Sequence, residues 1–149
     1  MGSIIFTKMR LQDIDSVLEV EKKSFKTPWS RFAFLCELRD NQFAYYLVVK
    51  DGNKVIGYGG MWIILNEAHI TNIAIDPDYR GKKLGEKLMV KLMDIAKKKG
   101  ADRMTLEVRR SNYIAKRLYK KLGFEVRGVR KGYYADTNED ALIMWKDSL

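Results

Sequence analysis

The sequence predicts a single α/β domain spanning residues 1–149, built on one mixed, mostly antiparallel sheet with helices on both faces. Three observations carry that expectation. At 149 residues the chain has the length of one domain with room for a real core. Short β-branched runs of alternating polarity are interleaved with stretches whose apolar residues recur at helical spacing. An Asp51-Gly52-Asn53 turn joins two of the runs, a strong hairpin signal that makes the early strands antiparallel.

Taken in order, Ile4 to Arg10 reads as a first strand. From Gln12 or Asp13 onward Ile14, Val17, Leu18 and Phe25 form one apolar helical stripe. Thr27-Pro28 looks like the start of a second helix, with Thr27 as N-cap, and Phe32, Leu35, Cys36 and Leu38 as its buried stripe. Ala44 to Val49, Lys54 to Leu65 and Ala68 to Ile75 are three antiparallel strands, the last two joined by Asn66-Glu67. A helix from Leu84 to Lys99 follows, ending at Gly100 after three lysines that suit its C-terminal dipole. Arg103 to Val108 is a strand, Asn112 to Leu122 a helix closed by Gly123, and Phe124 to Arg130 another strand. Gly132 to Asp140 reads as a long loop before a last strand, Ala141 to Trp145.

Composition narrows the class. Hydrophobic content of 46%, with three tryptophans and eight tyrosines, excludes disorder. No apolar run, Met61 to Leu65 included, is long enough to span a bilayer, and Met1-Gly2-Ser3-Ile4 shows no secretory signal, so no membrane partner is expected. Cys36 is the only cysteine, best read as a small core residue; a cytoplasmic, reducing setting is expected. With His69 the only histidine, a Cys/His zinc site cannot be assembled, and no metal is expected. The net charge of +9 fits a polyanionic ligand, a ribosomal partner or a solvated surface. The charges run along the whole chain, so the solvated surface takes the largest share and the ligand the lysines near Arg80. Direct sequence-specific nucleic-acid binding is not expected.

The organising stretch is Ile70 to Leu88. Asp76-Pro77-Asp78 stops a strand, since proline has no N–H for the ladder. Arg80-Gly81-Lys82-Lys83-Leu84-Gly85 then leads into a helix. Converging amides at a helix start, its dipole and three basic side chains make an anion site suited to phosphate or pyrophosphate. An ordinary turn with solvated lysines is the competing reading. Neither G-x-x-x-x-G-K-[ST] nor G-x-G-x-x-G is present.

This stretch resembles the acyl-coenzyme A signature of the GNAT N-acetyltransferases, [Q/R]-x-x-G-x-[G/A], with Arg80 and Gly85 in the first and last positions. Lys83 stands where the middle glycine usually is. That departure keeps the amide donors but argues against the position needing a glycine's φ/ψ range.

A second stretch is more specific. Glu107 sits on an apolar strand with Leu106 and Val108 on the opposite side, so its carboxylate is paired by a lysine or arginine or faces a cleft. Asn112 and Tyr119 are two helical turns apart on one face. Singly, Asn112 reads as an N-cap and Tyr119 as a core aromatic. Together L-E-V-R-x-S-N-x-x-A-x-x-L-Y-x-x-L-G-F resembles the peptide-acting branch of the same family, above all the ribosomal-protein alanine N-acetyltransferases. Pro28-Trp29-Ser30, Gly132-Tyr133-Tyr134-Ala135-Asp136 and Glu139-Asp140-Ala141 are similar to that branch too.

The resemblance implies the GNAT fold, with a splayed pair of parallel strands, Ile70–Ile75 and Arg103–Val108, and acetyl-CoA as co-substrate lying between them. It implies cofactor contacts at Ile73, Ala74 and Ile75, at Arg80, Gly81, Lys82, Lys83, Leu84, Gly85 and Glu86, and at Asn112 and Tyr119. Glu107 would be the general base, Tyr119 the general acid, and Trp29 and Tyr133 walls of the acceptor pocket. The implied reaction is direct transfer of acetyl to the α-amino group of a protein or peptide, most specifically a ribosomal-protein N-terminal alanine. An acetyltransferase of lysine side chains or small amines and a catalytically silent acyl-CoA sensor are the alternatives.

Overall fold

The computed structural model describes residues 2–149, so Met1, part of the stretch read for a leader, lies outside the described residues. Strand β1 (Ile4–Lys8) ends two residues before the expected Arg10. Leu11–Asp13 closes into a short 3-10 turn instead, because the Asp13 carboxylate accepts the Arg10 N–H at 2.9 Å and pairs with Lys50 at 3.1 Å. Helix α1 (Ile14–Ser24) follows, then α2 (Arg31–Arg39).

Here the sequence reading needs correction. The N-cap of α2 is Ser30, whose hydroxyl accepts from the Ala33 N–H at 3.1 Å; Thr27-Pro28 lies in the connection before it. The shift changes which side chains turn inward. Phe34 is fully buried, while Phe32 is 73% exposed rather than part of the core stripe. Cys36 is half-buried on that helix.

β2 (Ala44–Asp51), β3 (Lys54–Ile64) and β4 (Glu67–Ile75) pair antiparallel, as the turn at residues 51–53 predicts. A 3-10 turn at Pro77–Tyr79 leads through the basic loop to α3 (Leu84–Lys98). Next come β5 (Arg103–Arg109) and α4 (Tyr113–Lys121). The last hairpin, β6 (Glu125–Tyr134) and β7 (Glu139–Lys146), corrects the expected long loop. The expected strand Phe124 to Arg130 is observed but runs on to Tyr134, where Gly132 in an exposed edge strand reads as a loop although Tyr134 pairs with Glu139 of β7.

The sheet order is β1-β2-β3-β4-β5-β7-β6. One face carries α1 and α2 over Tyr46, Val48, Val55, Tyr58 and Ala74. The other carries α3 and α4 over a larger core that includes Leu47, Ile56, Met104, Leu106 and Met144. Leu88, Met89 and Leu92 of α3 are wholly buried there, each contributing roughly 1.5–3 kcal/mol of transfer free energy. No helix among the described residues is long and apolar enough to cross a membrane.

The parallel pair decides where a site can form. β4 and β5 are paired only at Glu67–Arg103, Ala68–Met104 and His69–Thr105, and beyond that row the strands part. The cause lies in β4. Gly60 of β3 opposes Asn72 while its neighbour Met61 opposes Ile70, leaving Thr71 as an extra residue that bends the strand.

Candidate active site

Side chains from distant elements fix that bend. The Tyr46 hydroxyl lies 3.1 Å from the Thr71 hydroxyl, which donates to Asn72 Oδ1 at 2.9 Å. Asn72 Nδ2 donates to the Tyr58 hydroxyl at 3.1 Å, and that hydroxyl donates to the buried Glu21 carboxylate. Tyr46 and Trp62 both donate to Glu37 Oε1, at 2.8 and 2.6 Å. Gly60 is required here, since a Cβ at that position would overlap the Tyr46 ring. A network of this kind specifies one geometry, because each buried polar atom left unpaired costs about 1–3 kcal/mol.

The bend gives β4 a free edge. The Asp76 N–H donates to the Ile56 carbonyl at 2.7 Å, and hydrogen-bonded pairs alternate along an antiparallel ladder. Ala74 therefore spends its backbone groups on β3, and Ile73 and Ile75 turn theirs into the gap. Arg80 Nε donates to the Ile75 carbonyl at 3.3 Å, on that free side. The expected contact at Ala74 is thus corrected at the backbone, and its side chain packs beneath α1.

At the far end of β4 the basic loop presents a row of donors. Among the described residues the amides from Gly81 to Glu86 donate to no backbone carbonyl; the next, Lys87, donates to Lys83 at 3.1 Å. Lys83 has φ 62° and ψ 21°, the left-handed region, and Gly81 has φ 80°. The inference that this position does not need a glycine's backbone range is overturned: lysine occupies that range, at a cost of about 1–2 kcal/mol. The side chains here are partly engaged. Lys82 lies over the Tyr79 ring at 5.8 Å, and Glu86 is turned to Lys121 of α4 at 2.8 Å. A Cβ at Gly85 would meet only Ile75 and Leu118, at ordinary contact distance.

Asp76, only 2% exposed, braces the loop. Its carboxylate accepts from the Asp78 N–H at 3.0 Å and pairs with Lys23 at 3.1 Å. Burial opposes ionisation, but the Asp78 amide and the Lys23 ammonium outweigh it and hold this carboxyl below its ordinary range.

Glu107 points to the α1/α2 side of the sheet, away from Leu106 and Val108, as the strand parity predicts. Its partner is His69, not chiefly a lysine or arginine. His69 Nε2 lies 2.7 Å from Glu107 Oε2, with Arg130 Nε 3.8 Å from Oε1. The three line a cavity of about 250 Å³ with Trp62, Ile64, Glu67, Thr105, Ile143 and Trp145. Sequence patterning offers His69 only as a lone histidine, short of a zinc set, on the strand leading into the loop.

Tyr119 approaches from the α4 side, buried against Phe124 at 6.0 Å. Burial, then the neighbouring Tyr134, pushes its hydroxyl up to about 12, so it is protonated at neutral pH. Tyr134 is likewise pushed up to about 12, by burial first, with Arg109 stacked 4.0 Å from its ring centre and Glu107 close enough to act on it. Asn112 is the N-cap of α4, its Oδ1 accepting from the Ala115 N–H at 3.1 Å, which leaves its Nδ2 as a donor.

Two expected wall residues lie outside the Glu107 cavity. The Trp29 N–H is held by Glu21 at 2.7 Å and its ring packs on Phe34 at 5.2 Å, so it belongs to the second core. Tyr133 is half-exposed against Tyr134 on β6.

β4 thus has a free edge and the loop unpaired amides, with the Glu107 carboxylate on one face of the sheet and the Tyr119 phenol on the other. The chain is also similar to known proteins. Residues 12–124 match the Acetyltransferase (GNAT) family. A Bacillus subtilis protein provisionally named a [ribosomal protein bS18]-alanine N-acetyltransferase is 51% identical over 137 residues, 92% of this chain and 91% of that protein. The crystal structure of the ribosomal-protein-S18-alanine N-acetyltransferase from Escherichia coli superimposes with a TM-score of 0.90 at 31% identity, covering 99% of this chain and 96% of that one. The paiA N-acetyltransferase from Thermoplasma acidophilum, solved with coenzyme A, has a TM-score of 0.76 at 25% identity, covering 97% of this chain and 99% of that one. The chain belongs to the GNAT family of acetyltransferases.

Proposed function

We propose that the whole chain, residues 1–149, is one catalytic domain that transfers acetyl from acetyl-CoA to the α-amino group of a ribosomal-protein N-terminal alanine in the cytoplasm. The observation that carries this reading is the parting of β4 and β5 beyond His69–Thr105, with Glu107 on one side of the gap and Tyr119 on the other. The names of the Bacillus and Escherichia relatives support the acceptor.

In this reading the cofactor's amide-bearing arm adds to the free edge of β4 through Ile73 and Ile75, as an extra strand would. Its pyrophosphate sits on the amides from Gly81 to Glu86, with Arg80, Lys82 and Lys83 supplying charge. Asn112 donates its Nδ2 to the arm. When bound, acetyl-CoA supplies an activated thioester.

The chain's own groups do the rest. An α-amine of ordinary pKa ~7.7–8.0 is partly neutral at working pH, whereas a lysine amine near ~10.4 is not. Glu107, acting through a water, takes the amine's proton, and His69 at 2.7 Å holds the carboxylate in place. Tyr119, protonated at neutral pH, returns a proton to the departing thiolate. Trp29 is partly buried against the second core, and its backbone N–H holds the α1–α2 connection to Glu21.

Steady-state kinetics with an alanine-first peptide test these roles. Glu107→Gln and Tyr119→Phe are each expected to lower kcat by roughly 10²–10⁴-fold with acetyl-CoA affinity nearly unchanged. Near-normal turnover in either variant removes that residue from the chemistry.

A further inference from the structure

The expectation that charge runs evenly along the chain needs correction, because basic residues occur throughout but the net excess does not. Residues 79–124 carry fifteen of the lysines and arginines and only four of the acidic residues, an excess of +11, while the rest of the chain stands at −2. Those residues build the loop, α3, β5 and α4; Arg103, Arg109 and Arg110 are paired with carboxylates outside the segment, and the remaining cations lie mostly on the loop, α3 and α4.

Much of it lies far from the pyrophosphate loop. At 1.5 Å per residue, Lys91 and Lys99 stand about 12 and about 24 Å along α3 from Lys83, beyond the ~8–10 Å over which exposed charges feel one another. Lys87, Lys91 and Lys98 form one exposed stripe of that helix, with Asp94 the single carboxylate on it. None of these lysines, nor Lys97, Lys99 or Lys8, is in an ion pair among the described residues.

Two rings hold the ammonium groups in place. Lys91 lies 5.5 Å over Phe6, and Lys8 and Lys99 lie 5.7 and 5.2 Å over Tyr45. Both rings are partly buried against the core, so Lys8 of β1, Lys91 of α3 and Lys99 at its C-terminal end are gathered on one flank, Lys8 and Lys99 over the same ring. Preorganised, unpaired cations of this kind suit a partner with closely spaced negative charges.

We infer that the β1–α3 flank, centred on Lys8, Lys91, Lys98 and Lys99, docks the phosphate backbone of RNA. The choice of RNA rests on the proposed acceptor, since a ribosomal protein is met on or beside ribosomal RNA. The contact is sequence-independent, being charge alone, and leaves the gap between β4 and β5 open to the acceptor's N-terminus.

Fluorescence anisotropy with a labelled RNA hairpin of arbitrary sequence tests the inference on the full chain. With about four phosphates neutralised, affinity is expected to fall by roughly 100-fold between about 50 and about 200 mM salt. Lys91→Gln/Lys98→Gln/Lys99→Gln is expected to lower affinity at least tenfold and flatten the salt dependence. Saturating coenzyme A is expected to leave RNA binding unchanged. Acetylation of a free alanine-first peptide is expected to be unchanged in the triple variant; if that variant fails to fold, Lys8→Gln/Lys91→Gln serves with the same expectations. The inference is overturned if these substitutions leave RNA affinity as it was, if coenzyme A displaces the RNA, or if anionic lipid vesicles bind through the same lysines as tightly. Failure to acetylate any peptide α-amine, by contrast, counts against the proposed function and not against the docking surface.

Discussion

Replacing Lys83 with glycine relieves a strained backbone at the point where the loop becomes α3. Lys83 sits at φ 62° and ψ 21°. A non-glycine residue there costs about 1–2 kcal/mol, and glycine gives back about 0.4–1 kcal/mol through the larger entropy of its unfolded chain. The net expectation is a gain of roughly 0.5–1 kcal/mol, or about 1–4 °C in melting temperature for a chain of this length. Lys83→Ala separates conformation from charge, because it removes the ammonium group but keeps the Cβ. Thermal unfolding followed by circular dichroism, without ligand, is the assay. Lys83→Gly is expected to melt above the parent and Lys83→Ala is not. If Lys83→Gly melts at or below the parent, or if Lys83→Ala gains as much, the assignment of strain to this residue is refuted. Calorimetry adds a second readout, since either substitution removes one positive charge from the pyrophosphate site and is expected to weaken acetyl-CoA binding a few-fold.

Two further outcomes follow from the same loop. Arg80→Glu/Lys82→Glu is expected to weaken acetyl-CoA binding at least tenfold by calorimetry, about 1.4 kcal/mol; unchanged affinity removes the loop from the cofactor site. Asp76 has a folded-state pKa held below its ordinary value, so its contribution to stability is present above the usual carboxylate range near ~3.9 and is lost as pH falls through the lowered value. Asp76→Asn lacks that contribution, so urea midpoints of parent and variant measured from about pH 7 to about pH 2.5 are expected to converge at the acid end; a constant difference across the range contradicts the linkage.

Much of the architecture was legible because it is written locally. The Asp51-Gly52-Asn53 turn, the proline after β4, the apolar stripe of α3 and Gly100 each fix an element from within a few residues, and the predicted strands and helices stand close to their observed limits. α2 was misplaced because Thr27-Pro28 and Ser30 are both good starts, and tertiary contact decides between them: Glu21 captures the Trp29 N–H and keeps the preceding stretch out of the helix. The opening between β4 and β5 has no local signature. It depends on the extra residue at Thr71 and on Tyr46, Tyr58, Glu21 and Glu37, which come from four other elements. The family resemblance supplied it instead.

Glu107 shows the same limit at the site. Its face of β5 follows from strand parity, but its partner does not, because His69 is 38 residues away and meets it only through the short parallel pairing. Tyr119 was readable as a core aromatic and is one; what the structure adds is that burial keeps its hydroxyl protonated far above neutral pH. The expected strand Phe124 to Arg130 stands but stops short of Tyr134 for a physical reason too, since the end of an edge strand open to water carries the polar composition of a loop.

The central claim, transfer to an α-amine, is tested most directly with one peptide carrying both a free N-terminal alanine and an internal lysine, and the same peptide blocked at its N-terminus. Each is incubated with the protein and acetyl-CoA, and the acetylated position is mapped by tandem mass spectrometry. The account predicts acetyl on the α-amine of the free peptide and essentially none on the blocked one, because a single carboxylate acting through water suits an amine already partly neutral near pH 7. Acetyl on the lysine of the blocked peptide at a comparable rate contradicts it.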